Sequence, residues 1–227
     1  MEQASPFIDI HTHRHRQPGQ GLLVVNSIMA GEVLPESPHF RFSLGIHPWQ
    51  LKTEKACTLE KKFIDQLAAK GLIALGEAGL DRAIAVDFSL QLAVFSMQAE
   101  LATAMRIPLI IHCVRSFPEI IAVRKTMQSP GEWIVHGFRG NAATAQRLLK
   151  HGIRLSLGLA LVTDNSPLSR MIPDLPADRL FFETDDTDFQ IENIYLKAAA
   201  LLGLSIDSLK SQVFANFAGC FNIPMHA

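Results

Sequence analysis

The architecture this sequence predicts is a TIM-like (β/α)8 barrel, on three observations. Eight short runs rich in Val, Ile, Leu and Phe recur along the chain, as expected of parallel strands covered on both faces. From the third run onward, stretches of helical period separate them, the alternation that builds a parallel sheet. The length of 227 residues suits one such barrel, so 1–227 is read as a single domain.

The strands are expected at 7–11, 21–27, 41–47, 72–77, 107–113, 132–138, 153–158 and 179–185. A helix is expected over 58–70, with Leu59, Phe63 and Leu67 on its apolar side. Another spans 88–106, with Phe88, Leu92, Phe95, Ala99 and Ala102 on one stripe behind an Asp87 cap. A third spans 141–151, from an Asn141 cap to Gly152. The tail 190–221 reads as two helices broken near Gly203. Between the first two strands, 12–20 contains Pro18 and Gly19 and holds no helix; 28–40, with Gly31, Pro35 and Pro38, holds one turn at most. Parallel strands usually need a longer crossover, though nine residues can still span about 30 Å. The expectation is a barrel lacking the helix after strand one and most of the one after strand two. Its bare outer faces need cover from a terminal helix or a second subunit.

Composition limits the function. Lys and Arg total 21 against 22 acidic residues, a net charge of −1, so no global field draws in nucleic acid and an anionic ligand must be held locally. Cys57, Cys113 and Cys220 are odd in number and far apart, which indicates neither a disulfide framework nor a cysteine zinc site. No signal sequence and no apolar run long enough to cross a membrane is visible. The expected setting is cytoplasmic, as a monomer or small homo-oligomer.

The polar residues carry the chemistry. His11 and His13 end strand one, His47 ends strand three, Glu77 strand four, His112 strand five, His136 strand six and Asp185 strand eight. All fall at C-terminal strand ends, where barrel active sites are built. Residues two apart on a strand share a face, which groups Asp9, His11 and His13. This donor set exceeds one tetrahedral zinc site. It suits two divalent ions, Zn²⁺, Mn²⁺ or Mg²⁺, with Glu77 as a natural bridge because its strand lies between the two groups of histidines. Such a pair activates water and clamps the attacking and leaving oxygens.

The segments DIHTH (9–13), GIHPW (45–49), GEAGLD (76–81), PLIIHC (108–113), VHGFRG (135–140) and FETD (182–185), in this order, resemble the TatD-type metal-dependent DNases. The resemblance runs from residue 7 to about 185, with an echo at Asn216-Phe217. It implies a TIM-like hydrolase barrel acting on nucleic-acid phosphodiesters. By motif, His11, His13 and Asp185 would hold one metal, His112 and His136 the second, with Glu77 bridging. Asp185 would be the general base, and His47 would contact substrate or a phosphate oxygen. The chain departs from the pattern in lacking the first helix. Its Arg115 is displaced by one residue from the usual H-x-R, Arg139 stands where a small residue is expected, and Thr187 replaces a proline. Arg115 and Arg139 are candidate substrate contacts.

Blander readings stand beside these. His11 and His13 alone would be ambiguous, and His112 and His136 could be satisfied core histidines, although each would then need a partner. Asp9 is expected behind an imidazole, or else to serve barrel closure. Asp81 is expected to order its loop, Cys113 to pack in the core, and Trp49 to stack on a base or cover the bare face. His15, His39, His151 and His226 are expected at the surface. The alternatives to a nuclease are an ester or amide hydrolase, such as an aminoacyl-tRNA deacylase, and a metal-bound interaction module without turnover.

Overall fold

The computed structural model describes residues 5–19, 21–33, 40–52, 70–127, 131–163 and 165–223. Eight parallel strands pair in sequence order: β1 (Phe7–Thr12), β2 (Leu22–Met29), β3 (Phe42–Gly45), β4 (Leu72–Asp81), β5 (Leu109–Val114), β6 (Trp133–Val135), β7 (Ile153–Leu157) and β8 (Leu180–Phe182). The sheet is nearly closed. β8 returns to β1 through a bridge at Thr12 and Asp185, where the Asp185 N–H donates to the His11 carbonyl and the His13 N–H to the Asp185 carbonyl, both at 3.0 Å.

The connections follow from the local sequence. Among the described residues, no helix follows β1 or β2. The helix expected over 58–70 falls outside the described residues except at its last position, as do Cys57, His39 and His226. After β4, helix α1 (Phe88–Met105) starts where the Asp87 carboxylate accepts the Leu90 N–H at 2.8 Å. It stops at Arg106, in left-handed conformation. α2 (Phe117–Thr126) was not anticipated from the sequence; it has Pro in its first turn, Arg124 and Lys125 in its last, and buries only Ile120 and Ile121, too narrow a stripe to stand out. α3 (Ala142–Lys150) is capped by Asn141, which accepts the Thr144 N–H. A short α4 (Pro167–Met171) precedes β8, and α5 (Ile191–Leu202) ends at Gly203 with φ +66°, the left-handed stop that glycine tolerates. α6 (Ile206–Cys220) closes the described chain.

The terminal helices supply part of the missing cover: α5 and α6 both pack on β1 and β8. Tyr195 of α5 is buried, and its hydroxyl accepts the Ile8 N–H at 3.1 Å and donates to the Ile8 carbonyl at 3.0 Å. Asn216 of α6, in the weak C-terminal motif, donates to the carbonyls of Ala177 and Leu180 and fixes the start of β8. Strand ends differ from expectation at the rim. β4 runs on to Asp81, whereas β6 stops at Val135 and β8 at Phe182, so His136 and Asp185 project from the turns just beyond their strands.

Candidate metal centre

Glycines let the strands carry the ligands close together. A Cβ on Gly45 of β3 would lie 2.6 Å from the Glu77 carbonyl oxygen, so only glycine allows β3 this near the β4 backbone that presents Glu77. A Cβ on Gly79 would overlap the His112 carbonyl in the same way.

The Glu77 carboxylate sits at the centre of the converging side chains. Its Oε1 lies 2.7 Å from His136 Nε2, 2.8 Å from His112 Nδ1 and 3.3 Å from His47 Nε2. Its Oε2 lies 3.2 Å from His13 Nε2 and 3.4 Å from His11 Nε2. Asp185 Oδ1 completes the β1 side, 3.7 Å from His11 Nε2 and 3.8 Å from His13 Nε2. The two oxygens thus divide the imidazoles into the groups foreseen from the sequence, β1 with Asp185 on one side and β5 with β6 on the other. His47 joins the second group.

Carboxylates behind the rings set their orientation. His112 Nε2 is 3.2 Å from Asp81 Oδ2, which also accepts the Trp49 indole N–H at 2.9 Å. His136 Nδ1 is 3.4 Å from Glu183 Oε1, which accepts the Gly137 N–H at 2.6 Å. With the outer nitrogen of each ring donating to its carboxylate, the inner nitrogen keeps a lone pair for a cation, the usual carboxylate–histidine–metal order. His47 differs. Its Nδ1 accepts the Trp49 N–H at 3.1 Å, so in the neutral ring Nε2 bears the proton and donates to Glu77.

Charge follows the geometry. Burial alone would raise the Glu77 pKa, but the charge of His136 and the neighbouring His11, His112 and His13 imidazoles hold it well below the usual 4.5. Burial works against a charged His136, yet the Glu77 and Glu183 carboxylates raise it well above 6.5. His13 is raised too, Glu77 outweighing burial, whereas burial wins at His47 and lowers it. Asp9 is pushed up to about 7, mainly by burial. It does not back an imidazole ring. Its carboxylate accepts the Thr184 hydroxyl at 2.6 Å, the Thr184 N–H at 3.1 Å and the His11 N–H at 3.4 Å, and so spans the β8–β1 seam.

These residues fit metal ions. His11 is fully buried and, among the described residues, neither ring nitrogen has a hydrogen-bond partner, Nε2 lying near Glu77 without the angle of a bond. A buried imidazole in that state is unfavourable, and a cation between it, His13 and Asp185 would satisfy it. Ligand atoms within 4.8 Å of one another form the triads His11–His13–Asp185, His11–Glu77–His136, His47–Glu77–His112 and His136–Glu183–Asp185. Separate candidate clusters therefore stand at one rim, built of nitrogen and oxygen donors without cysteine.

Two cavities flank the cluster and share His112, His136 and Asp185. The first, about 360 Å³, is lined further by His15, Ser27, Met29, Glu32, Trp49 and Asp186. The second, about 400 Å³, is lined by Cys113, Val114, Arg115, Phe117, Gly137 and Arg139. Both candidate arginines are therefore on the same side.

Several supporting residues escaped the sequence reading. Asp81 orders its loop as expected, accepting the Ala83 N–H, but it also reaches His112. Glu183 was visible only as a letter of the FETD segment. Gln91 and Gln98 are buried in α1 among the apolar stripe. Gln98 bonds both backbone groups of Ile46, next to His47, and Gln91 bonds both backbone groups of Asp81. Their one signal is a pair of amides seven residues apart on a face that otherwise packs.

Comparison with known proteins shows what this chain is similar to. The model of a family described as TatD related DNase matches residues 21–222. An uncharacterized metal-dependent hydrolase of Escherichia coli, YjjV, is 27% identical over 210 residues, covering 82% of this chain and 81% of its own. A 3′-5′ ssDNA/RNA exonuclease TatD from a Rahnella species is 32% identical over 175 residues, covering 73% of this chain and 64% of its own. Among solved structures, the YjjV crystal structure superposes with a TM-score of 0.81 at 22% identity, covering 96% of this chain and 98% of that one. A TatD family hydrolase from Entamoeba histolytica gives 0.74 at 17% identity, over 98% of this chain and 100% of that one.

Proposed function

The chain belongs to the family of TatD related DNases, metal-dependent hydrolases, and from that premise we propose that it cleaves phosphodiester bonds of nucleic acid with two divalent cations. The observation that carries the proposal is the division of Glu77: one oxygen faces His11 and His13, the other His112 and His136. In this reading His11, His13 and Asp185 would hold one ion and His112 and His136 the other, with the Glu77 carboxylate within reach of both. The ions, Zn²⁺, Mn²⁺ or Mg²⁺, supply Lewis acidity that makes water a nucleophile near neutral pH and offsets charge gathering on the phosphoryl oxygens.

The protein's own groups do the rest. Asp185, half-exposed at the cavity mouth, accepts a proton from the attacking water. That water's oxygen bonds to phosphorus as the bond to the leaving sugar oxygen breaks, and that oxygen takes up a proton from solvent to leave as the hydroxyl. His47, whose Nε2–H points into the cluster, contacts a phosphoryl oxygen once substrate displaces its bond to Glu77. Asp81 and Glu183 keep His112 and His136 in the ligating tautomer. The named activity of the Rahnella relative makes single-stranded DNA or RNA the first substrate to try.

The reading takes 1–227 as one domain, because the strands run to Phe182 and the helices after them pack back on β1 and β8. Among the described residues no helix is long and apolar enough to cross a membrane, and Cys113 and Cys220 are free thiols, in keeping with a cytoplasmic setting.

Elemental analysis of the purified protein, followed by nucleotide release from single-stranded DNA and RNA, tests the proposal. Two metals per chain and chelator-sensitive release, abolished by Glu77→Ala or Asp185→Ala, are the expected results. Cleavage of esters or amides without attack on nucleic acid would replace the nuclease with an amidohydrolase-type enzyme. Metal without any hydrolysis would leave an interaction module.

A further inference from the structure

The two cavities flanking the metal centre differ in charge. The Arg115–Arg139 side carries two exposed guanidiniums, and among the described residues neither has an acidic partner. α2 also begins at that lip, with Phe117 in the lining, so the positive end of a ten-residue helix adds to the field. Among the described residues the opposite side has no Lys or Arg in its lining, and it carries Glu32 and Asp186. It offers the half-exposed ring of Trp49, held by Asp81, and the Ser27 hydroxyl, which is 1% exposed and has no hydrogen-bond partner among the described residues. A buried hydroxyl left unpaired at a cavity wall is a site for a polar group of a ligand.

We propose that the centre reads its substrate asymmetrically: an unphosphorylated terminal nucleoside enters the Ser27–Trp49 side, and the phosphate next to the scissile one enters the Arg115–Arg139 side. This rests on the phosphodiesterase reading above and deepens it. Each cavity is at the small end of ligand pockets, which suits one nucleotide unit per side. Trp49 gives a base a ring to stack on, and Ser27 gives the nucleoside a hydrogen bond. Two guanidiniums without an acidic partner among the described residues give a phosphate the charge-assisted, fork-shaped contacts it favours. The carboxylates of the opposite side repel a terminal phosphate placed there. Of the two ends of a dinucleotide, only one therefore gains from carrying a phosphate.

The test measures binding apart from turnover. Thymidine dinucleotides with a methylene in place of the bridging oxygen, which resist cleavage, are titrated calorimetrically into metal-loaded protein with no terminal phosphate, a 5′-phosphate or a 3′-phosphate. A phosphate at one end should tighten binding about tenfold, and the other should not tighten it at all. Arg115→Gln and Arg139→Gln, both exposed changes, should remove most of that gain, and Ser27→Ala should weaken all three ligands alike. Equal gains at both ends, no gain at either, or a gain that survives both arginine changes would overturn the inference. Asymmetric, arginine-dependent binding by a protein that cleaves no phosphodiester would instead sink the nuclease reading and leave the asymmetry standing.

Discussion

Replacing Glu77 by Gln is the sharpest perturbation this structure offers, because it removes one charge and keeps the shape. In the metal-free protein Glu77 is nearly fully buried and lies 2.7 Å from His136. Its pKa is held well below 4.5 and that of His136 well above 6.5, so the two form a buried ion pair. Breaking such a pair from one side costs about 3–5 kcal/mol. The lower end, about 3 kcal/mol, applies here because a stranded His136 can shed its proton. The pH dependence follows from the two shifts. Stabilisation through His136 is fully present below 6.5 and is lost as pH rises through its raised folded value. Stabilisation through Glu77 is present above 4.5 and is lost as pH falls through its lowered one. The stability gap between wild type and Glu77→Gln in chelator-stripped protein should therefore be widest between pH 4.5 and 6.5 and narrow on either side. Urea denaturation across pH reads it directly. Metal has the opposite dependence: a cation must displace the His136 proton, so loading releases a proton and tightens as pH rises. A variant as stable as wild type throughout that window would refute the account, as would metal uptake that releases no proton.

The remaining predictions test the groups around this pair. Asp81→Asn leaves His112 Nε2 and the Trp49 indole without their shared carboxylate oxygen, and affinity for one of two cations should drop about 10- to 100-fold by competition with a chromophoric chelator. Gly45→Ala puts a methyl 2.6 Å from the Glu77 carbonyl; the strands must part, with a loss of about 1–3 kcal/mol and a fall in bound metal by elemental analysis. Tyr195→Phe strands both backbone groups of Ile8 in the core. It should destabilise by about 2 kcal/mol in denaturant while metal stoichiometry stays at the wild-type value.

The candidate ligand positions share a rim because a barrel forces such residues into one kind of place. His11, His13, Glu77, His112, His136 and Asp185 each follow an apolar run, and in parallel strands every such end lies on one rim. What the runs cannot encode is which rim residue faces which. Glu183 and His136 are far apart in sequence and meet because β7, between their strands, sets the register. Asp81 reaches His112 because β4 pairs with β5 as far as its last residue, four positions past Glu77. Gln91 and Gln98 look like breaks in the α1 stripe and turn out to be the bonds that tie α1 to the rim. The helix-free start of the barrel was readable from Pro18 and Gly19. Its cover by α5 and α6 was left open between a terminal helix and a second subunit, because the tail's apolar faces name no partner.

The same region makes the two halves of the candidate metal centre unequal. One half is presented by β4, β5 and the turn after β6, whose strands pair over several consecutive residues, β4 with β5 from Ala78 to Asp81 and β5 with β6 from Leu109 to Ile111. The other joins β1 to the residue just past β8, across a seam with a single isolated bridge. Tyr195 on Ile8 and Asp9 on Thr184 do by side chain what a ladder does elsewhere. A cation held by His11, His13 and Asp185 therefore also ties the first strand to the last. Stripping metal should cost little protection along β5 and β6. It should speed amide exchange at His13 and Asp185, whose N–H groups make the seam bonds. Hydrogen exchange with and without chelator distinguishes this from a site that only does chemistry. Uniform protection loss around the barrel, or none, would mean that closure does not depend on the ion.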